Sequence, residues 1–267
     1  MVINLKNLTL GFLAGIASII PGISGSALLI TFNLYDKIIK YINNIFKNPK
    51  ESIKFLTPIA IGITLGIILF SNILNFLIKK YSLILSIIFI FLIISTLPNI
   101  INKIDIQNNK KNIIYFFLTF SIGISLLLIK NTILISLNKN IITFFIMGII
   151  LSISTIIPGI STTILFNLFG VYTIYLNALS TLNIKILIPI FMGFIITTFL
   201  LSKLINYLLT NHKDKTYLSI LGFTISTIPS LFLTKIEINN ELFIGLILGI
   251  IILLLVLKAL KRLNNEH

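Results

Sequence analysis

The chain has 267 residues, 57% of them hydrophobic and only 10% charged, with a mean hydropathy of +1.08. A soluble domain carries about 25% charged residues, so composition excludes an ordinary water-soluble fold and points to an integral membrane protein. The net charge of +14 does not indicate nucleic acid, because the basic residues stand singly between apolar runs, as Lys and Arg do at membrane loops. With no cysteine, the chain has no disulfide framework, thiol catalyst or Cys-ligated metal site.

The N-terminus superficially fits a signal peptide, with Lys6, an apolar run and small residues at Ala17-Ser18. The same pattern recurs internally at Gly148 to Ile157, so we expect the segment to be retained. Residues 8–34 form the first apolar stretch, broken at Pro21-Gly22. Leu8 to Ile20 is 13 residues, about 20 Å as helix and short of a hydrocarbon core of about 30 Å. Residues 36–54 mix lysines with Ile38, Ile39, Tyr41, Ile42, Ile45 and Phe46, a pattern that predicts an amphipathic helix on the membrane surface. Phe55 to Ile78, Tyr81 to Ile101 and Ile113 to Ile129 follow, each long enough to span. The second half repeats the programme. Residues 141–172 are broken at Pro158-Gly159, and Ile186 to Leu209, Tyr217 to Thr234 and Leu242 to Leu257 follow as spans.

The repetition is specific. Pro21-Gly22-Ile23-Ser24 returns 137 residues later as Pro158-Gly159-Ile160-Ser161. Pro58, Gly62, Ser71 and Asn75 match Pro189, Gly193, Ser202 and Asn206 at an offset of 131. Ser95-Thr96-Leu97-Pro98 matches Ser226-Thr227-Ile228-Pro229 at the same offset. We therefore expect two halves, 1–137 and 138–267, built alike within one membrane domain.

Charge indicates whether the broken segments cross. If each dips in and returns, followed by three spans, the 21 Lys and Arg divide 15 to 6, the minority being Lys79, Lys80, Lys130, Lys139, Lys185 and Lys235. If each broken segment spans, the division is 11 to 10. The excess of Lys and Arg on cytoplasmic loops favours re-entrant hairpins and cytoplasmic termini. Three spans per half is an odd number, so the halves would be inverted. The expected fold is an all-α polytopic membrane protein of two inverted repeats, each a re-entrant helical hairpin plus three transmembrane helices, as in many secondary transporters.

Proline removes a backbone donor and glycine relaxes the chain, so each break separates two helices. At membrane depth such a break must face protein or water. Hydroxyls follow each one: Ser24, Gly25 and Ser26 in the first copy, Ser161, Thr162 and Thr163 in the second. They open a returning helix, whose unsatisfied N–H groups suit an anion. The same hydroxyls can instead cap their own helices. Lys37 and Lys40, just past the first hairpin, can meet a phosphate headgroup or the anionic lipids of the leaflet. Tyr35 and Tyr172 read most simply as interfacial aromatics, and Asp36 and Glu241 as interfacial charges.

No Asp, Glu or His lies within an apolar run, where proton relays are sought. His212 sits in a polar loop and His267 is terminal. No paired carboxylates, nucleophile–base set or phosphate-binding Gly-Lys loop occurs, so the reading is a non-enzyme without metal or cofactor.

Two Pro-Gly-Ile-Ser signatures in twin halves, each followed by an apolar run closing on Leu34-Tyr35 or Val171-Tyr172, resemble a bacterial and archaeal membrane family described as polyprenyl-phosphate (undecaprenyl-phosphate) transporters. The resemblance covers nearly the whole chain. It implies return of a phosphorylated polyisoprenoid carrier lipid to the inner leaflet of the cytoplasmic membrane after glycan export. The substrate-binding positions it implies are Pro21, Gly22, Ser24, Gly25 and Ser26, with Pro158, Gly159 and Ser161. Thr162 and Thr163 depart from an expected Gly-Ser, and Asn33 from an expected Gly. A polar seam between hairpins, opening alternately to each face, would carry the headgroup across. A small-anion channel or carrier using the same helix termini is the alternative, and a non-transporting scaffold a third reading. No nucleotide site is present, and no coupling ion is legible.

Overall fold

The computed structural model describes residues 4–20, 24–105, 110–128, 140–181, 183–231 and 240–265, and every regular element among them is helical. The first half contains α1 (Leu5–Ile19), α2 (Gly25–Thr31), α3 (Tyr35–Asn43), α4 (Pro49–Lys80), α5 (Ser82–Ile101) and α6 (Ile113–Leu128). The second contains α7 (Ile141–Ile156), α8 (Thr162–Leu168), α9 (Tyr172–Ser180), α10 (Ile184–Asn211), α11 (Lys213–Ser226), α12 (Ile228–Leu231) and α13 (Asn240–Asn265). The two entering helices start alike. Asn4 accepts a hydrogen bond from the Asn7 amide, and Asn140 accepts one from the Thr143 amide, each supplying a side-chain N-cap.

Glycines set how closely the helices approach. A Cβ on Gly11 or Gly15 would strike the backbone of Ile59 or Ile63, and one on Gly62 or Gly66 the backbone of α1. In the second half, Gly148 abuts Ile190 and Gly193 abuts Phe145. Small residues at such crossings let apolar helices pack backbone to backbone.

The register gives the directions. Gly11 lies on Ile59 and Gly15 on Ile63, so α1 runs parallel to α4 and the chain must turn back between them, through α2 and α3. Gly148 lies on Ile190, and the Ser152 and Thr198 hydroxyls share a hydrogen bond of 3.0 Å. Thus α7 runs parallel to α10, with α8 and α9 as the return. At one end of the bundle, Lys103 Nζ lies 2.8 Å from Asp36 Oδ2. There, too, the Tyr217 hydroxyl donates to Asp36 Oδ1 at 2.5 Å, and the Asp105 amide donates to Asp214 Oδ1 at 3.1 Å. The start of α3, the end of α5 and the start of α11 therefore meet at this Asp36 end. Since α10 finishes there, α7 and α10 begin at the opposite end. α6 packs on α11 and α13 on α5, so the last long helix of each half lies against the other half.

Four described helices are long and apolar enough to cross a membrane: Pro49–Ser71 within α4, Ser82–Ile101, Ile184–Asn211 and Asn240–Lys258. With the shorter apolar helices, they make this a multi-pass membrane protein. Of the three spans predicted in each half, the described parts of the third in the first half and the second in the second half, α6 and α11, have 16 and 14 residues, about 24 and 21 Å at 1.5 Å per residue. The chain leaves α11 at Thr227, just before Pro229, whose missing N–H cannot continue the ladder.

Two expectations are corrected. Residues 36–54 are not one surface helix, because α3 ends at Asn43 and 49–54 already belong to α4. The apolar face of α3 also turns inward. Ile39 and Tyr35 are buried in a core that includes Ile100, Ile156, Ile205 and Tyr217, with Ile38 and Ile42 packed against it. Tyr35 is therefore a core residue rather than an interfacial one. The helix α9, at the place of α3 in the second half, has no counterpart in the sequence reading, because TIYLNALS lacks the lysines that made α3 visible.

Candidate functional site

The first break delivers α2 with its N-terminus against α1. Ser24 stands at the N-cap in extended conformation without a side-chain capping bond. Its Oγ instead lies 2.8 Å from Ser26 Oγ. A Cβ on Gly25 would meet the Ala14 carbonyl at 2.8 Å and Ser18 Cβ at 3.1 Å. The glycine thus lets α2 close on α1 rather than leaving room for a ligand there. At the second break, Gly159 has φ +88°, a left-handed conformation glycine adopts without penalty. A Cβ on it would collide with the backbone of Thr224. The Thr162 hydroxyl, one residue into α8, shares a hydrogen bond of 2.7 Å with Ser154 Oγ.

Between these breaks lies a cavity of about 340 Å³. Its polar lining consists of hydroxyls: Ser24 and Ser26 from the first tip, Thr162 from the second, Ser18, Ser71, Ser154 and Thr155 from the flanking helices, and Tyr172 and Tyr175 from α9. Its apolar wall includes Ile19, Leu29, Ile63, Ile67, Leu74, Leu151, Leu179 and Phe194. No charged side chain is among the lining residues. Four pairs of counterparts face it together: Ala14 with Leu151, Ser18 with Thr155, Gly25 with Thr162, and Ile63 with Phe194. The reverse sides of its two long wall helices carry exposed apolar residues, among them Ile68, Leu69 and Ile73 of α4 and Phe191, Ile196 and Leu200 of α10. The cavity is therefore one helix thickness from the lipid-facing surface.

The sequence candidates divide. Ser24, Gly25, Ser26 and Thr162 line the cavity. Gly159 and Ser161 do not. They border a separate pocket of about 20 Å³ against α6 and α11, with Gly123, Phe223 and Ser226. Pro158 is fully buried. Lys37 and Lys40 are exposed on α3 and line neither space. Pro21, Gly22 and the side chain of Thr163 lie outside the described residues.

The sequence reading missed Ser18, Ser71, Ser154, Thr155 and Tyr175, all hydroxyls within or beside apolar runs. Isolated hydroxyls at helical spacing from the breaks were the available signal. It also missed the Asp36–Lys103–Tyr217 cluster, whose members are 67 and 181 residues apart and meet only in the folded chain. Beside that cluster the Tyr35 hydroxyl donates to the Ile156 carbonyl at 2.7 Å, binding the exit of the first hairpin to the broken end of α7. An orphan helix-end carbonyl thereby gains a partner from the other half.

The family described as VCA0040-like, undecaprenyl phosphate translocase-like, matches residues 4–82 and 43–242. A protein of Staphylococcus aureus named polyprenyl-phosphate transporter is 27% identical over 242 residues, covering 85% of each chain. One of Vibrio cholerae serotype O1 with the same name is 23% identical over 238 residues, 83% of this chain and 75% of the relative. No solved structure matches. With nearly the whole described length matched, this chain belongs to the undecaprenyl phosphate translocase-like family.

Proposed function

We propose that this protein moves polyprenyl phosphate between the leaflets of the cytoplasmic membrane and returns the carrier lipid to the inner leaflet for envelope glycan synthesis. The observation that carries this reading is the cavity between the two breaks, lined by both hydroxyls and apolar side chains. A headgroup crossing about 30 Å of hydrocarbon needs donors that replace water, and serine and threonine hydroxyls supply them. The isoprenoid tail needs only an apolar wall and access to lipid. A cavity of about 340 Å³, at the lower end of ligand pockets, holds a phosphate with the first isoprene units and leaves the rest of the tail in the bilayer. The names of the two relatives agree with this substrate.

We read the halves 1–137 and 138–267 as inverted repeats, each opening on a re-entrant hairpin, with both termini cytoplasmic. The parallel pairing of α1 with α4 and of α7 with α10, from opposite ends of the bundle, supports that reading. Because α2 and α8 have 7 residues each, the hydroxyls rather than helix dipoles carry the headgroup contact.

The test is exchange of labelled polyprenyl phosphate across reconstituted vesicles, with inorganic phosphate uptake measured alongside. Ser24→Ala combined with Thr162→Val should slow lipid exchange at least tenfold, since a hydrogen bond to a charged group contributes about 1.5–3 kcal/mol. Ser161→Ala should slow it far less. Normal exchange by the double variant would overturn the site, and phosphate uptake without lipid exchange would favour the small-anion reading.

A further inference from the structure

The cavity is one-sided, and the residues that make it so are counterparts of residues that seal the other end. Ile19 and Tyr172 line it. Their counterparts at the offset of 137, Ile156 and Tyr35, are buried and hydrogen-bonded to each other. Leu179 lines it as well, whereas its counterpart Ile42, at the offset of 137, packs against the core at the Asp36 end. Ser71 borders the cavity, and its counterpart Ser202 is fully buried. The correspondence thus holds on α1, α4 and α9 of one side and α7, α10 and α3 of the other. The Tyr172 hydroxyl, alone of the tyrosine pair, has no hydrogen bond to a described residue.

We propose that Tyr35 and Tyr172 are alternating latches. In the second state the Tyr172 hydroxyl donates to the Ile19 carbonyl and Leu179 closes over it, while Tyr35 releases Ile156 and opens the Asp36 end. This deepens the proposed transport function and rests on it for its purpose. The conformational claim stands on the counterpart geometry alone. Alternating access requires two packings within a few kcal/mol of each other, and the counterpart residues offer a second packing of the same kind.

The chain has no cysteine, so single cysteines report accessibility cleanly. Ser71→Cys probes the open cavity and Ser202→Cys its sealed counterpart, each labelled with a small maleimide in nanodiscs. Removing one latch hydroxyl should shift the ratio of the two states roughly fivefold, the worth of one hydrogen bond. Tyr35→Phe should raise Ser202→Cys labelling relative to Ser71→Cys by about that factor, and Tyr172→Phe should lower it. If both tyrosine changes move the ratio the same way, or neither moves it, the proposal is wrong. Should Ser202→Cys fail to fold, Leu179→Cys and Ile42→Cys form the equivalent pair. Lipid exchange measured on the same preparations separates the two claims. Exchange with an unresponsive ratio sinks the latches and leaves transport standing. A reciprocal ratio without exchange does the reverse.

Discussion

The two breaks share Pro-Gly-Ile-Ser, yet their surroundings give them different work. After the first, Ser24 and Ser26 turn into the cavity and Gly25 lets α2 lie on α1. After the second, Gly159 and Ser161 lie against α6 and α11, while Ile160 and Thr162 reach the same cavity. Thr162 accounts for one part of the difference. A threonine where the first copy has Gly25 fills space and bonds to Ser154, while the left-handed Gly159 is clamped by Thr224. Both tips present hydroxyls to the cavity but from different positions, Ser24 and Ser26 in the first and Thr162 in the second, so nearly identical motifs need not form two equal halves of a binding site.

The sharpest way to break this contrast is Gly159→Ala. It places a side chain in a left-handed backbone position and against the Thr224 backbone. We expect a loss on the order of 3 kcal/mol, read as a large fall in thermal stability in detergent. A neutral result would remove the anchoring role. Next comes Thr162→Gly, which gives the second tip the residue of the first. It deletes the hydrogen bond to Ser154 and adds backbone freedom, for a cost of about 1–2 kcal/mol. Unfolding of the purified variant measures it, and a stabilised protein would contradict the account. The smallest effect concerns the hairpin exits, where Asn33 has φ 54° and Gly170 has φ 65°. These positions are equivalent at the offset of 137, and asparagine is among the few side-chain-bearing residues that visit this region readily. Gly170→Asn should therefore change stability by only a few tenths of a kcal/mol, whereas Gly170→Val should cost about 1–2 kcal/mol. Equal melting of the two variants would show that backbone conformation is not what this position selects.

The exits also show why some features were legible and others were not. An asparagine in place of an expected glycine marked a departure in the sequence, and the structure gives both residues the same left-handed turn. Tyr35 was misread because an aromatic near a lysine-rich segment looks interfacial. Its burial depends on Ile156, 121 residues away. Lysines made α3 visible while their absence hid α9. The inward direction of the apolar face of α3 depends on which helix covers it, which no local pattern states.

What the sequence determined by itself is what repeats and periods encode: membrane class, the long apolar helices, the two breaks and their pairing. Apolar length against bilayer thickness and the backbone chemistry of proline and glycine are local quantities. What only the tertiary structure decided is which hydroxyls share one cavity, what clamps Gly159, and which tyrosine bonds across the halves. Those outcomes depend on contacts between helices far apart in the chain. Even identical counterparts such as Tyr35 and Tyr172 differ there in what packs around them.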